Sequence, residues 1–226
     1  MAESIRVKST SQSSENRPRI LLCVEGSFGR SVARDLKSYC FEVSEVYLDG
    51  ATRVTEIPFA SGDVVVLISS KPLPSLCSDL DGIASSGELT FLALTLYGNY
   101  IQVGPLVRRW CECCWSCFQT RLAHHMGESD VRKTITNYYE DSAASGPQGF
   151  LRPFSLLSAA RLAQVLCDLD LTTNRDEVWQ LSLDSGAIET GSPLGLHGCS
   201  RCGTQRVEET RTIDLLRCLV NHQVID

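Results

Sequence analysis

The sequence predicts an α/β domain with a cross-linked C-terminal region, on three observations. Short apolar runs alternate with helix-spaced segments between residues 20 and 107, the pattern of a sheet covered by helices. The first run ends in a glycine turn that opens a helix. Two CxxC pairs stand 81 residues apart in the second half. At 226 residues, 43% of them apolar, the chain is long enough to bury one sizeable core.

Residues 1–17 are rich in serine and charge and lack apolar periodicity, so they read as a flexible arm before a single domain over 18–226. That domain divides into a sheet unit, 18–107, and a cross-linked region, 108–226. Ile20–Val24 is a buried strand; EGSFGR supplies turn glycines; Ser31–Cys40 carries Val32, Leu36 and Tyr39 at helical spacing. Val43–Leu48 is a second strand closing on Asp49 and Gly50, which completes a βαβ unit. Val64–Ile68 is a third strand, Leu73–Gly87 a short helix, and LTFLALTLYG and NYIQVGPLV two further strands.

Beyond the first cysteines, Phe118–Met126 extends a short helix, and Gly127–Arg152 reads as a loop with a helix near Val131–Tyr139. Ser155–Leu169, behind Pro153, is a helix whose apolar positions are Leu156, Leu157, Ala160, Leu162, Ala163 and Leu166. Glu177–Leu196 forms a hairpin turning at Asp184–Gly186, and Thr212–Asn221 a terminal helix.

Composition excludes several functions. With 21 Lys and Arg against 27 Asp and Glu, the net charge of -6 gives no phosphate-tracking surface, so no nucleic-acid partner is expected. No apolar run approaches the roughly 18 residues of a membrane helix, and the opening residues lack the apolar core of a signal peptide. A cytoplasmic protein with no membrane partner is expected. No Ser, His and Asp set stands at a recognisable hydrolase spacing.

Eleven cysteines in such a chain are read as thiols or metal ligands rather than disulfides. Cys23, Cys40, Cys77, Cys167 and Cys218 are scattered among apolar neighbours and read as small buried hydrophobes. Cys114-Trp-Ser-Cys117 and Cys199-Ser-Arg-Cys202 are paired turns of the kind that aim both sulfurs at one point. Two such turns make a closed tetrathiolate cage for zinc, with no position left for water, so the zinc would be structural. Cys111 and Cys114 form an overlapping CxxC, which leaves open whether Cys111 or Cys117 completes the first pair. A redox CxxC is the competing reading, disfavoured because neither pair opens a helix after a core strand. Cys111 or Cys113 could serve as a reactive thiol beside Arg108 and Arg109, against the plainer reading of extra thiols on a loop. His124 and His125 read as a solvated helix end and His197 as a neighbour of the second pair.

The glycine turn aligns with the dinucleotide fingerprint GxGxxG only in part. Val24 replaces the first glycine, Gly26 and Gly29 stand at the second and third, and Glu25 brings negative charge towards where a pyrophosphate would sit. Asp49 stands where a ribose-binding acid is expected. Gly26, Gly29 and Asp49 are thus candidate nucleotide-site residues, read as a vestige kept for structure.

GPLVRRWCECCWSCFQTRL, SLLSAARLAQVLCDL and VWQLSLDSGAIETGSPLGLHGCSRCG together resemble one group: the ThiF-like, ubiquitin-activating-enzyme-like partner subunits of azoline peptide cyclodehydratases. In the first segment Cys114 follows Val107 by seven positions and Arg121 follows Cys117 by four. The resemblance covers about residues 19–203 and implies a ThiF-like Rossmann-type sheet with a zinc-stapled C-terminal region. Adenylating members of the superfamily carry acids at the end of the third strand; here Leu67 and Ser70 stand in their places. Gly50–Asp63 is also too short for the helix that supplies their Arg and Lys. Phosphoryl chemistry needs those positioned charges, so the resemblance implies an accessory member without adenylating activity.

By the same resemblance the partners are a YcaO-type cyclodehydratase, which uses ATP, and a ribosomal precursor peptide whose Cys, Ser or Thr residues become thiazoline or oxazoline rings. Only 18 residues precede Arg19, where many such subunits carry a leader-binding module, so a separate leader-binding chain is expected to supply that step. The alternative is a divergent adenylating enzyme acting on the carboxyl terminus of a peptide or sulfur carrier.

Overall fold

The computed structural model describes residues 18–39, 42–48, 52–109, 111–126, 134–135, 137–139, 146–147, 149–169 and 177–203. Residues 1–17, read as an arm, Asp49, Cys40, Cys218 and the helix expected at 212–221 lie outside them. Seven strands form one sheet: β1 (Ile20–Val24), β2 (Val43–Tyr47), β3 (Val64–Ser69), β4 (Thr90–Tyr97), β5 (Tyr100–Val107), β6 (Val178–Ser182) and β7 (Ile188–Gly191). Their order is β2-β1-β3-β4-β5-β6-β7. The first four run parallel, with Ile20 opposite both Val43 and Val64, and β5, β6 and β7 are added antiparallel. Residues on both sides of position 107 therefore share one sheet.

Strands β1, β3 and β4 read as continuous apolar runs because both their faces are covered. Their side chains alternate between two cores. Leu22, Val24, Val66, Ile68 and Leu94 point towards α1 (Gly26–Lys37) and α4 (Arg152–Cys167), whereas Leu21, Cys23, Val65, Leu67 and Phe91 point towards α2 (Pro74–Ser86) and α3 (Trp115–Met126). The β4 to β5 hairpin turns at Gly98 and Asn99, with Tyr97 and Tyr100 stacked 4.8 Å apart across it.

Two helix starts and one buried helix face differ from the sequence reading. α1 starts at Gly26, so the glycines taken for a turn form its first helical turn. α3 starts at Trp115, inside the cysteine cluster, rather than at Phe118. α4 buries Ser155, Ser158, Ala159, Leu162, Ala163 and Leu166, while Leu156 and Leu157 are exposed, which corrects the expected apolar face. Cys167, at its end, is exposed, unlike Cys23 and Cys77, which are buried as expected. Residues 134–135 and 137–139 are helical, within the segment expected to hold a helix. The hairpin of β6 and β7 forms where the sequence placed it, and the β2 to β3 connection holds, among its described residues, only a single turn at Val54–Glu56.

Candidate metal centre and the closed crevice

Cys114 and Cys117 stand at the N-terminal end of α3, and Cys199 and Cys202 on the turn after β7. The fold brings all four sulfurs within 4.8 Å of one another. Cys114 Sγ lies 3.8 Å from Cys199 Sγ, and Cys117 Sγ lies 3.6 Å from Cys202 Sγ. With zinc-sulfur bonds of about 2.3 Å, a tetrahedron has edges of about 3.8 Å, so this donor set fits zinc in both chemistry and size. The backbone N–H groups of Leu196 and Arg201 donate to Cys117 Sγ at 3.3 Å and to Cys199 Sγ at 3.4 Å, as bonds that favour thiolate do.

Burial pushes the Cys202 thiol up to about 11 and raises that of Cys114 further. Burial opposes ionisation of Cys199 too, but hydrogen bonds from the N–H groups of Cys202 and Arg201 and from neighbouring thiols outweigh it and bring the group down to about 6. A divalent cation would supply the charge that the two buried thiols need to ionise.

Cys111 and Cys113 are buried but outside the four-sulfur group, and Cys113 Sγ donates to the Cys114 carbonyl at 3.4 Å. Of the two overlapping CxxC pairs, the one that meets the second turn is therefore Cys114 with Cys117. His124, His125 and His197 are exposed. Arg121 donates to the Gly195 carbonyl at 3.2 Å and the Gly195 N–H to the Glu112 carbonyl at 3.1 Å, so the two cysteine-bearing segments are laced together beside the sulfurs.

Sequence reasoning missed Asp81 and Arg201. Asp81, wholly buried on α2, accepts from the N–H groups of Trp115 at 2.9 Å and Ser116 at 3.2 Å, from Ser116 Oγ at 2.7 Å and from Arg201 Nη1 at 2.6 Å. It caps α3, a role ordinarily filled by the residue before the helix, which here is the sulfur-bearing Cys114. No local signal separates it from Asp79, an exposed acid two positions away.

The second candidate site lies at the carboxyl ends of β1 and β3, where sheets of this topology bind nucleotides at the start of α1. Here the chain fills it. Glu25 is buried, and its carboxylate accepts the Ser70 N–H at 2.9 Å. Ser70 Oγ donates to the Glu25 carbonyl and accepts the Phe28 N–H, each at 3.2 Å, so a first-turn donor of α1 that could meet an anion is already used. Gly26, at φ 72°, and Gly29 are required by close packing. A Cβ on Gly26 would fall 2.1 Å from Ser70 Oγ, and one on Gly29 would fall 2.7 Å from the Ile68 carbonyl oxygen.

From the other side, the buried Lys71 donates to the Tyr139 carbonyl at 3.0 Å, Gly146 packs against the Ser70 backbone and the Lys71 Cβ, and Phe150 meets Phe28 edge to face at 5.3 Å. Leu67 and Ser70 are both buried. Two cavities lie elsewhere, one of about 110 Å³ beside Arg161 and Glu177 and one of about 180 Å³ beside Pro18 and Arg108. Both fall below the roughly 300 Å³ at which ligand pockets begin. No helix among the described residues is long and apolar enough to cross a membrane.

No protein-family model matches the sequence, and no curated protein is similar to it. Solved structures are similar in fold. A chain of the E. coli microcin synthetase McbBCD complex matches with a TM-score of 0.61 at 10% identity, over 84% of this chain and 71% of its own length. The heterocyclase TruD matches with a TM-score of 0.56 at 14% identity, over 83% of this chain and 28% of its own length. E. coli MccB matches with a TM-score of 0.54 at 14% identity, over 84% of this chain and 66% of its own. The fold is the one shared by these microcin synthetase, heterocyclase and MccB chains.

Proposed function

We propose that this chain is a non-adenylating, ThiF-like accessory subunit of an ATP-dependent azoline cyclodehydratase. It docks a YcaO-type enzyme and helps present a ribosomal precursor peptide for thiazoline or oxazoline formation, while ATP is used by the partner. Cys114, Cys117, Cys199 and Cys202 hold a structural zinc that fastens the second half of the chain to α3. With all four positions sulfur, the ion supplies a cross-link rather than an activated water.

The observation that carries the non-adenylating reading is the filled crevice. A nucleotide bound at the start of α1 would have to displace the Glu25 and Ser70 hydrogen bonds and the packing of Gly146 and Phe150. It would meet a carboxylate where its phosphates need cations. Gly26 and Gly29 then serve packing, and Asp49, outside the described residues, completes the vestigial set.

The second reading, a divergent adenylating enzyme, is favoured by one finding: MccB, a chain of the same fold, has been solved with AMPCPP and MccA. The two readings separate in ATP-pyrophosphate exchange by the isolated chain. Exchange no faster than a no-protein control is expected, and robust exchange would overturn the accessory reading.

A further inference from the structure

The Asp81 carboxylate reaches both CxxC turns at once, and always through the residues that lie between the cysteines. Trp115 and Ser116, its partners on α3, separate Cys114 from Cys117; Arg201, its third partner, lies between Cys199 and Cys202. Arg201 Nη1 also donates to Ser116 Oγ at 2.6 Å, which closes a triangle of Asp81, Ser116 and Arg201. These bonds tie the two turns, 81 residues apart in sequence, to one atom group on a helix that belongs to the sheet unit. A wholly buried carboxylate is tolerated only while charged and hydrogen-bonding partners surround it, so Asp81 favours the arrangement in which both turns are in place.

We propose that Asp81 is the positioning residue of the metal centre: it clamps both CxxC turns against α2, so that the four sulfurs converge before and during metal binding. The inference rests on the reading that these thiols hold zinc. It extends that reading from the ligands to the groups that orient them, whose loss at other metal sites weakens binding by about 10- to 100-fold. A simple helix cap would act on stability alone. A clamp on both turns acts on metal retention, and it couples Asp81 to Arg201.

The test is zinc transfer from the folded full chain to a competing chelator, measured for the wild type, Asp81→Asn, Arg201→Gln and the double variant. Leu162→Ala, on α4 across the sheet, serves as a destabilised control with all thiols and clamp residues intact. The expected result is a zinc affinity about 10- to 100-fold lower in each single variant. The double variant should be little worse than either, and the control should keep wild-type affinity despite its lower melting temperature. Variants that retain zinc as the control does would overturn the inference while leaving the zinc reading intact. A wild-type chain that binds no zinc would overturn both. Should Asp81→Asn fail to fold, Arg201→Gln, at a side chain 32% exposed, decides alone.

Discussion

For the zinc proposed at the four sulfurs, replacing any one of them would remove a quarter of its coordination and leave the other thiols of the cluster without their cation. Binding free energy at a structural zinc is folding free energy, so Cys114→Ser and Cys202→Ser should each lose the metal and more than about 3 kcal/mol of stability. Metal content and thermal unfolding of the purified variants check this, and full retention of both in both variants would refute the zinc assignment. A different residue contributes a pH-dependent share of stability on the acid side. The hydrogen bond from Arg19, aided by one from the Ala60 N–H at 2.7 Å, holds the Asp63 carboxyl below the usual carboxylate range despite its burial. Because the native value is depressed, the stabilisation is complete above the ordinary carboxylate pKa of about 3.9 and is lost as pH falls through the native value. Asp63→Asn should therefore melt below the wild type at neutral pH, with a gap that narrows on acidification below about pH 4; a gap independent of pH would contradict the pairing. The four clustered sulfurs were legible in sequence because a CxxC turn is local. Asp81 was not, because its partners are 34 and 120 positions away.

Helix α4 shows how an element can be legible in existence but not in orientation. Its apolar residues suggested a face containing Leu156 and Leu157, yet Ser155, Ser158 and Ala159 face the core. Arg152 explains the choice: it pairs with Asp35 of α1 and donates to Ser31 Oγ and Ser155 Oγ, which fixes the rotation of the helix at its start. Small residues at the contact also let α1 and α4 approach closely. Leu162→Ala should then cost about 2 to 5 kcal/mol, as buried leucine truncations do, whereas Leu157→Ala should cost less than about 0.5 kcal/mol. Denaturant unfolding of the two variants separates the orientations, and equal losses would contradict the one described. The same non-local logic moved the starts of two other helices. α1 begins at Gly26, whose approach to Ser70 leaves no room for a Cβ, and α3 begins at Trp115 because Asp81 caps it from α2.

At the scale of the molecule, the alternation of strands and helices up to residue 107 was legible because fully covered strands are continuous apolar runs bounded by turns. That β6 and β7 extend the same sheet was not, since pairing of β6 with β5 joins Gln102 to Gln180 across a distance that no local pattern records. The filled crevice was legible only by its losses, in Val24, Glu25, Leu67 and Ser70. What occupies it comes from Tyr139, Gly146 and Phe150, in the segment 127–152 that the sequence reads as a loop with one helix near Val131–Tyr139. A sheet of nucleotide-binding topology whose crevice is closed by its own chain, and whose second half is gathered by four thiols, suits a subunit that holds partners together. The most direct test of that account reconstitutes a YcaO-type enzyme and precursor peptide from the same gene cluster, with and without this chain, and follows by mass spectrometry the loss of one water per ring. Dehydration that requires this chain is the predicted result. Dehydration of equal rate and extent in its absence would contradict the accessory role.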